Sequence, residues 1–300
     1  MVWLLYMRQI MLSDGGISIE SKQLVSCVTV TNGRVELIGS AIKCFLAQTY
    51  SPCELVIVSQ GDHDQNLAIR NMIDGKTNIQ FIEAPKHLTL GQMRNLSVEL
   101  AHGDVICQWD DDDWYHPSRV MTQFRSIRGN AIASLYSKYL KYFRDTKKMY
   151  MIDHNSGTQD YLDLCKWHRH KQFLAGSIMF KKPFFHQFNN SLYPEGGQDL
   201  SVLQKLLKVG MVVQVNSGYE YCYVYHGGNV YERRHHEMLF HKKGTASKEE
   251  LLGCKKEVEV LLHAAQVNDI VEVCSTQLLD FDQHGTVLEG KAEYICKSWK

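Results

Sequence analysis

From residue 24 onward, short apolar runs alternate with segments whose apolar residues recur every three or four positions. Residues 24–30, Leu-Val-Ser-Cys-Val-Thr-Val, predict a buried strand that ends at the turn-forming pair Asn32 and Gly33. Leu37, Ile38, Ala41, Ile42, Phe45 and Leu46 then fall on one helical stripe. Residues 55–58 predict a second strand, Leu67, Ile69, Met72 and Ile73 a second helix, and residues 79–82 a third strand. Met93, Leu96 and Leu100 mark a helix that stops at Gly103, and residues 105–109 predict a fourth strand running into four consecutive aspartates. Strands alternating with helices in this way predict an α/β fold, a mostly parallel sheet with helices on both faces.

Past residue 130 the rhythm changes. Residues 132–143 and 149–152, separated by Asp145-Thr-Lys-Lys148, predict a hairpin, and residues 177–180 a short strand. Leu200, Leu203, Leu206 and Leu207 place a helix directly after Gly196-Gly-Gln-Asp199. Residues 211–215 and 219–225 predict strands, the second ending at His226-Gly-Gly-Asn229. A charged helix is expected from Lys248 to about Gln266, then a small β element around Asp282-Gln-His-Gly285. The expected organisation is a leader over 1–23 packing on the domain, a main α/β domain over 24–240, and a small C-terminal α+β appendage over 241–300.

Composition narrows the classes. Thirty-three basic and 33 acidic residues give no net charge, which speaks against a nucleic-acid polymer held by bulk electrostatics. Nine cysteines, an odd number without any C-x-x-C pair, several of them in apolar runs, predict reduced buried thiols and a cytoplasmic protein. The apolar start of the chain is interrupted at Arg8, and no run reaches the ~18 apolar residues of a membrane span. No transmembrane segment is expected, while peripheral membrane contact by the leader stays open.

The strongest chemical signal is Gln108-Trp-Asp-Asp-Asp-Asp-Trp-Tyr-His-Pro117. Adjacent carboxylates at a strand's C-terminal edge repel one another unless a cation sits among them, and the carboxyl ends of parallel strands form a ligand crevice. A hard divalent ion, Mn²⁺ or Mg²⁺, suits oxygen ligands and bridges to phosphate. The alternative is a solvated acidic turn, but the apolar residues on both sides of the run disfavour it.

Thr29-Val-Thr-Asn-Gly-Arg34, Phe45-Leu-Ala-Gln-Thr-Tyr50, Gly91-Gln-Met-Arg-Asn95, Ala101-His-Gly-Asp104 and the Asp110-x-Asp112-Asp113-Trp-Tyr-x-Pro run occur in that order. Together they resemble the family 2 glycosyltransferases over roughly residues 24–230. The resemblance implies the GT-A fold, a Rossmann-like sheet, and an inverting, metal-dependent transfer of one sugar from a nucleotide-sugar to an acceptor hydroxyl on a glycan or other molecule. It implies that the Asp-x-Asp (DXD) motif places Asp110 at the ribose, with Asp112 and Asp113 serving the metal and His226 as a third ligand. His235 and His236, in a charged segment, read as solvated, although either becomes the ligand if the register is shifted. Thr31, Arg34, Gln60, Arg94, Asp110 and Asp111 are the expected nucleotide-sugar contacts.

Asp199 matches the family's catalytic base, although Gln198 stands where the family usually has Glu; the bland reading is that Asp199 caps the following helix. Ser59-Gln60-Gly61-Asp62 replaces the usual acidic pair after the second strand, which leaves the nucleobase open, with UDP the first expectation. Trp167 and Tyr193 are candidate acceptor walls, or equally core. The chain carries no phosphate loop, no Gly-x-Gly-x-x-Gly after the first strand and no Gly-x-Ser-x-Gly, so ATPase, NAD and hydrolase-elbow readings lose ground. A sugar nucleotidyltransferase and an inactive sugar-binding or adaptor protein on the same fold remain as alternatives.

Overall fold

The computed structural model describes residues 23–154, 174–185, 198–229, 231–233, 236–237, 246–274 and 292–296. Trp167, Tyr193, His235 and most of the leader lie outside the described residues, as does the Asp282–Gly285 turn.

Alternate residues of the central strands serve different cores. In β1 (Val25–Thr31), β2 (Cys53–Ser59) and β4 (Val105–Gln108), Cys27, Leu55, Ile57 and Cys107 join one apolar cluster. Val28, Val56 and Ile106 join another on the opposite face. The period of two therefore makes a sheet buried on both sides, as the unbroken apolar runs require. Helix α1 (Val35–Leu46) closes the first face with Ile38, Ala41, Ile42 and Phe45. Helices α3 (Leu90–Leu100) and α5 (Gln198–Val209) close the second with Val98, Val202, Leu203 and Leu206. Helix α2 (His63–Ile73) begins in a capping box between Asp62 and Gln65.

The first sheet has seven strands in the order β10-β6-β9-β4-β1-β2-β3, with β3 (Ile79–Glu83), β6 (Ala131–Tyr136), β9 (Met179–Lys181) and β10 (Met211–Val215) completing it. All its pairs are parallel except those of β9, which runs antiparallel to β4 and β6.

A second sheet of six strands was not foreseen. It contains β5 (Trp114–Tyr115), β7 (Lys138–Phe143), β8 (Lys148–Asp153), β11 (Tyr221–Tyr225), β12 (Val271–Cys274) and β13 (Ala292–Cys296). Their order is β13-β12-β8-β7-β11-β5. The predicted hairpin is half of the story: β7 and β8 pair antiparallel, but the run from 132 to 143 divides at Ser137 and sends β6 into the other sheet. Ser137 turns the chain by donating its N–H to Val215 and its hydroxyl to Asn216. No glycine or proline announces that break. The C-terminal helix expected as one piece is two, α6 (Lys248–Gly253) and α7 (Lys255–Ala264), separated at Cys254. Strand β12 pairs in parallel with β8, so the C-terminal residues extend the second sheet edge to edge. The eight cysteines among the described residues are free thiols. Among these residues no helix is long and apolar enough to cross a membrane.

Candidate active site

Strands β1 and β4 pair with Val28 opposite Gln108, after which β1 continues to Thr31 while the chain leaving β4 turns through residues 110–113. The order of strands reverses at β1, with β4 on one side and β2 on the other. This is the switch point at which open α/β sheets take ligands. Gly33 lets β1 turn there: its φ of +77° is left-handed, and a Cβ would lie 2.7 Å from the Gly61 Cα. Arg34 follows at the start of α1, so the guanidinium meets the acidic run over the sheet edge.

The four aspartates end in four different environments. Asp110 accepts from Arg94 Nη2 and from Gln108 Nε2, both at 3.2 Å, and its carbonyl accepts from the Tyr115 hydroxyl at 2.8 Å. Asp111 accepts from Arg34 Nε at 3.3 Å and, through its other oxygen, from Nη2. Asp112 Oδ2 accepts from Arg34 Nη1 at 2.9 Å and lies 3.1 Å from His226 Nε2. Asp113 faces inward, where the Val224 N–H donates at 2.9 Å to one oxygen and the Tyr221 hydroxyl donates to the other.

Their acidities diverge accordingly. Burial and the neighbouring Asp112 push Asp111 up to about 6, against the opposing pull of Arg34 and Thr31. Burial also presses on Asp112, but the His226 hydrogen bond and the Arg34 charge outweigh it and hold this carboxyl below its usual range. Asp113 is pushed well up by burial and by the charges of Asp112 and Asp110.

His226 is held by its own turn. Its N–H donates to Asn229 Oδ1 at 2.8 Å, and Asn229 Nδ2 donates back to the Val224 carbonyl at 3.0 Å. The Gly228 N–H reaches Nδ1 at 3.3 Å, which turns Nε2 toward Asp112. Arg34, Asp111, Asp112 and His226 thus converge, with Thr31 buried beside them and Asp110 and Arg94 adjacent.

Other expected residues sit differently. Gln60 donates its amide to the carbonyls of Pro85 and Leu88, at 2.7 and 2.9 Å, and so holds the loop between β3 and α3. His236, expected in solvent, is buried between the rings of Tyr223 and Tyr225, with Nδ1 3.1 Å from Lys141 Nζ. The aromatic face of β11 covers it, which a charged sequence neighbourhood does not reveal. Asp199 is the second residue of α5, so the helix begins before it rather than after it.

One supporting residue escaped the sequence altogether. Arg119, at the start of α4 (Arg119–Ser126), is fully buried in a cage of Trp109, Tyr115 and Tyr221, its guanidinium carbon 4.9, 4.3 and 4.8 Å from the ring centres. Its Nη2 donates to the Gln108 carbonyl at 2.7 Å, directly before the acidic run. In the sequence it looks like any surface arginine on a helix.

As a metal centre, Asp112 offers one oxygen and His226 Nε2 one nitrogen, in the tautomer that carries its proton on Nδ1 and gives up the Gly228 contact. Once phosphate oxygens from a ligand complete the shell, this mixed donor set suits Mn²⁺ better than Mg²⁺. Among the described residues no three His, Cys, Asp or Glu side chains converge on one ion.

A doubly covered sheet carrying an acidic run, an arginine and a histidine at its switch point is the layout of a glycosyltransferase of GT-A type. The family model for Glycosyl transferase family 2 matches residues 26–195, more than half of the chain, and the chain belongs to that family. It is similar to the putative glycosyltransferase EpsH of Bacillus subtilis, 26% identical over 154 residues, which cover 51% of this chain and 44% of that protein. An uncharacterized glycosyltransferase of Haemophilus influenzae is 26% identical over 111 residues, 37% of this chain and 44% of that one. The chain therefore matches less than half the length of these relatives. Among solved structures, S. aureus TarS superposes with a TM-score of 0.53 at 13% identity, covering 80% of this chain and 71% of TarS. The mannosyltransferase PcManGT from Pyrobaculum calidifontis, in complex with GDP-Man and Mn²⁺, gives 0.53 at 11% identity, covering 88% and 75%. At such identities the likeness speaks for the fold.

Proposed function

We propose that the chain is a metal-dependent, inverting glycosyltransferase that moves one sugar from a nucleotide-sugar, UDP-linked as the first candidate, to an acceptor hydroxyl. The observation that carries this reading is the convergence of Asp112, His226 and Arg34 at the C-terminal edge of β1 and β4. A diphosphate laid along that edge would meet the Arg34 guanidinium, and Asp110 and Arg94 stand one step away for the ribose and its phosphate. Asp112 and His226 would hold the divalent ion, which when bound neutralises charge developing on the leaving diphosphate. Asp199, at the N-terminal turn of α5, would accept the proton of the attacking hydroxyl. The hydroxyl oxygen then bonds to the anomeric carbon as its bond to the diphosphate oxygen breaks, releasing the nucleoside diphosphate with inversion. The molecules bound in structural relatives, UDP in TarS and GDP-Man in PcManGT, support a nucleotide-sugar without choosing the base.

The test is nucleoside-diphosphate release over a panel of nucleotide-sugars with Mn²⁺, beside Asp112→Ala and Asp199→Asn. Release from one donor, abolished by Asp112→Ala, is the expected result. Pyrophosphate release from a nucleoside triphosphate and a sugar 1-phosphate, tested in parallel, would make the chain a nucleotidyltransferase instead, and no nucleotide binding by calorimetry would make it an inactive fold.

A further inference from the structure

Positive charge already stands at the centre of this site. The Arg34 guanidinium spans two carboxylates: Nε and Nη2 grip both oxygens of Asp111, while Nη1 makes one contact to Asp112 Oδ2 at 2.9 Å. The same Nη1 lies 3.4 Å from His226 Nε2, and His226 Nε2 lies 3.1 Å from the same Asp112 oxygen. Arg34 therefore occupies the angle between the two groups that a divalent ion would need. The grip is unequal. Asp111, whose side chain is 4% exposed, holds the planar fork through two parallel bonds, whereas Asp112, at 18%, is held through one.

We infer that Arg34 is a resident counter-ion, tethered by Asp111, that competes with the divalent ion for Asp112 and His226. This rests on the metal-dependent reading above. Two cations cannot share one carboxylate oxygen at this range without strong repulsion, so metal binding requires the guanidinium to give up its single contact to Asp112. The bidentate tether to Asp111 survives that movement, because it uses different nitrogens and a different carboxylate. An arriving diphosphate offers the released Nη1 a new anionic partner, so the nucleotide lowers the cost of the exchange. Arg34 thereby makes metal binding depend on the nucleotide: the ion binds weakly to the chain alone and tightly in the presence of diphosphate. Asp111 is a positioning residue in this scheme, since it acts by aiming Arg34.

Direct Mn²⁺ binding tests this without any turnover. Titration of the chain with Mn²⁺, followed by the electron paramagnetic resonance signal of the free ion, gives an affinity with and without UDP. Arg34→Gln is expected to bind Mn²⁺ at least about tenfold more tightly than the wild type in the absence of UDP, and to gain less on its addition. The double variant Arg34→Gln/Asp111→Asn removes cation and tether together, so that Asp111 is not left as a buried carboxylate without its partner, while Asp112 keeps His226. It is expected to show the same gain, and serves where the single variant does not fold. Equal or weaker Mn²⁺ binding by a folded variant overturns the inference. If the wild type with UDP binds Mn²⁺ but the variants gain nothing, only the role of Arg34 falls. If neither wild type nor variants bind Mn²⁺ under any condition, the role of Arg34 and the metal-dependent reading fall together, and nucleoside-diphosphate release in EDTA would then report metal-free transfer.

Discussion

The carboxylate of Asp113 accepts a hydrogen bond from the backbone N–H of Val224 at 2.9 Å, tying the end of the acidic run to the strand that delivers His226. The Tyr221 hydroxyl fills its other oxygen, and the residue is 2% exposed. Asp112 and Asp113, neighbours in sequence, therefore have different partners: one meets Arg34 and His226, the other fastens the loop to β11. Asp113→Ala is expected to cost about 1–3 kcal/mol of stability, because it leaves the Val224 N–H and the Tyr221 hydroxyl buried without their acceptor. Asp112→Asn is expected to melt close to the wild type while losing Mn²⁺-dependent nucleotide binding. Thermal melts of the two variants decide it, and similar melting temperatures would show that Asp113 is no fastener.

Arg119 supports the same loop from beneath. Its charge is dispersed over three aromatic faces and two hydrogen bonds, to the Gln108 carbonyl and to Gln123 Oε1 at 3.2 Å. Arg119→Met keeps much of the volume but abandons both acceptors, and a loss of roughly 3 kcal/mol is expected. Arg119→Lys restores the charge without the fork and should recover only part of it. Denaturant unfolding of both variants measures the difference; a methionine variant as stable as the wild type would reduce the cage to ordinary packing.

Glu54 binds the other end of the sheet. It accepts from Ser26 Oγ at 2.6 Å, from the His102 N–H at 2.7 Å and from Gln80 Nε2 at 3.0 Å, joining β1, β2, β3 and the turn before β4. Burial opposes its ionisation, but these donors outweigh it and hold its carboxyl below the ordinary value of 4.5. The folded state thus binds the proton less readily than the unfolded state. The stabilisation is fully present above about pH 4.5 and is lost as pH falls through the lowered folded value. Glu54→Gln should cost about 1–3 kcal/mol at neutral pH, and the gap to the wild type should close progressively on acidification below pH 4.5. Melting curves of both proteins from pH 7 to 3 provide the check; a gap that stays constant would remove the linkage.

The sequence yields what is periodic. Strands β1 to β4 and helices α1 to α3 follow from apolar runs and stripes that stand alone, and the acidic run announces the crevice because like charges at a strand end need a cation. It does not yield the second sheet, because β5 is two residues long and β6 runs into β7 without a breaker at Ser137. Nor does it separate the four aspartates, since which one faces inward depends on Tyr221 and Val224, more than 100 residues away. The partners of Arg34 were equally hidden: a basic residue after a first strand suggests phosphate, and only the fold reveals two carboxylates already gripping it.

Asp199 is where chemistry and helix stability make opposite forecasts. It is the second residue of α5, whose Val202, Leu203 and Leu206 are buried against the first sheet, so the helix is anchored by packing rather than by its first turn. A carboxylate in that turn adds only about 0.3–1 kcal/mol through the helix dipole. As a base, by contrast, it would account for roughly 10²–10⁴ in rate. Asp199→Asn should therefore melt within about 1 kcal/mol of the wild type and bind UDP and Mn²⁺ as before, yet transfer sugar at least about a hundredfold more slowly. Calorimetric binding, a thermal melt and a nucleoside-diphosphate release assay on one preparation separate the two roles. Undiminished transfer with a lowered melting temperature would mean that Asp199 serves the helix and that the base lies elsewhere.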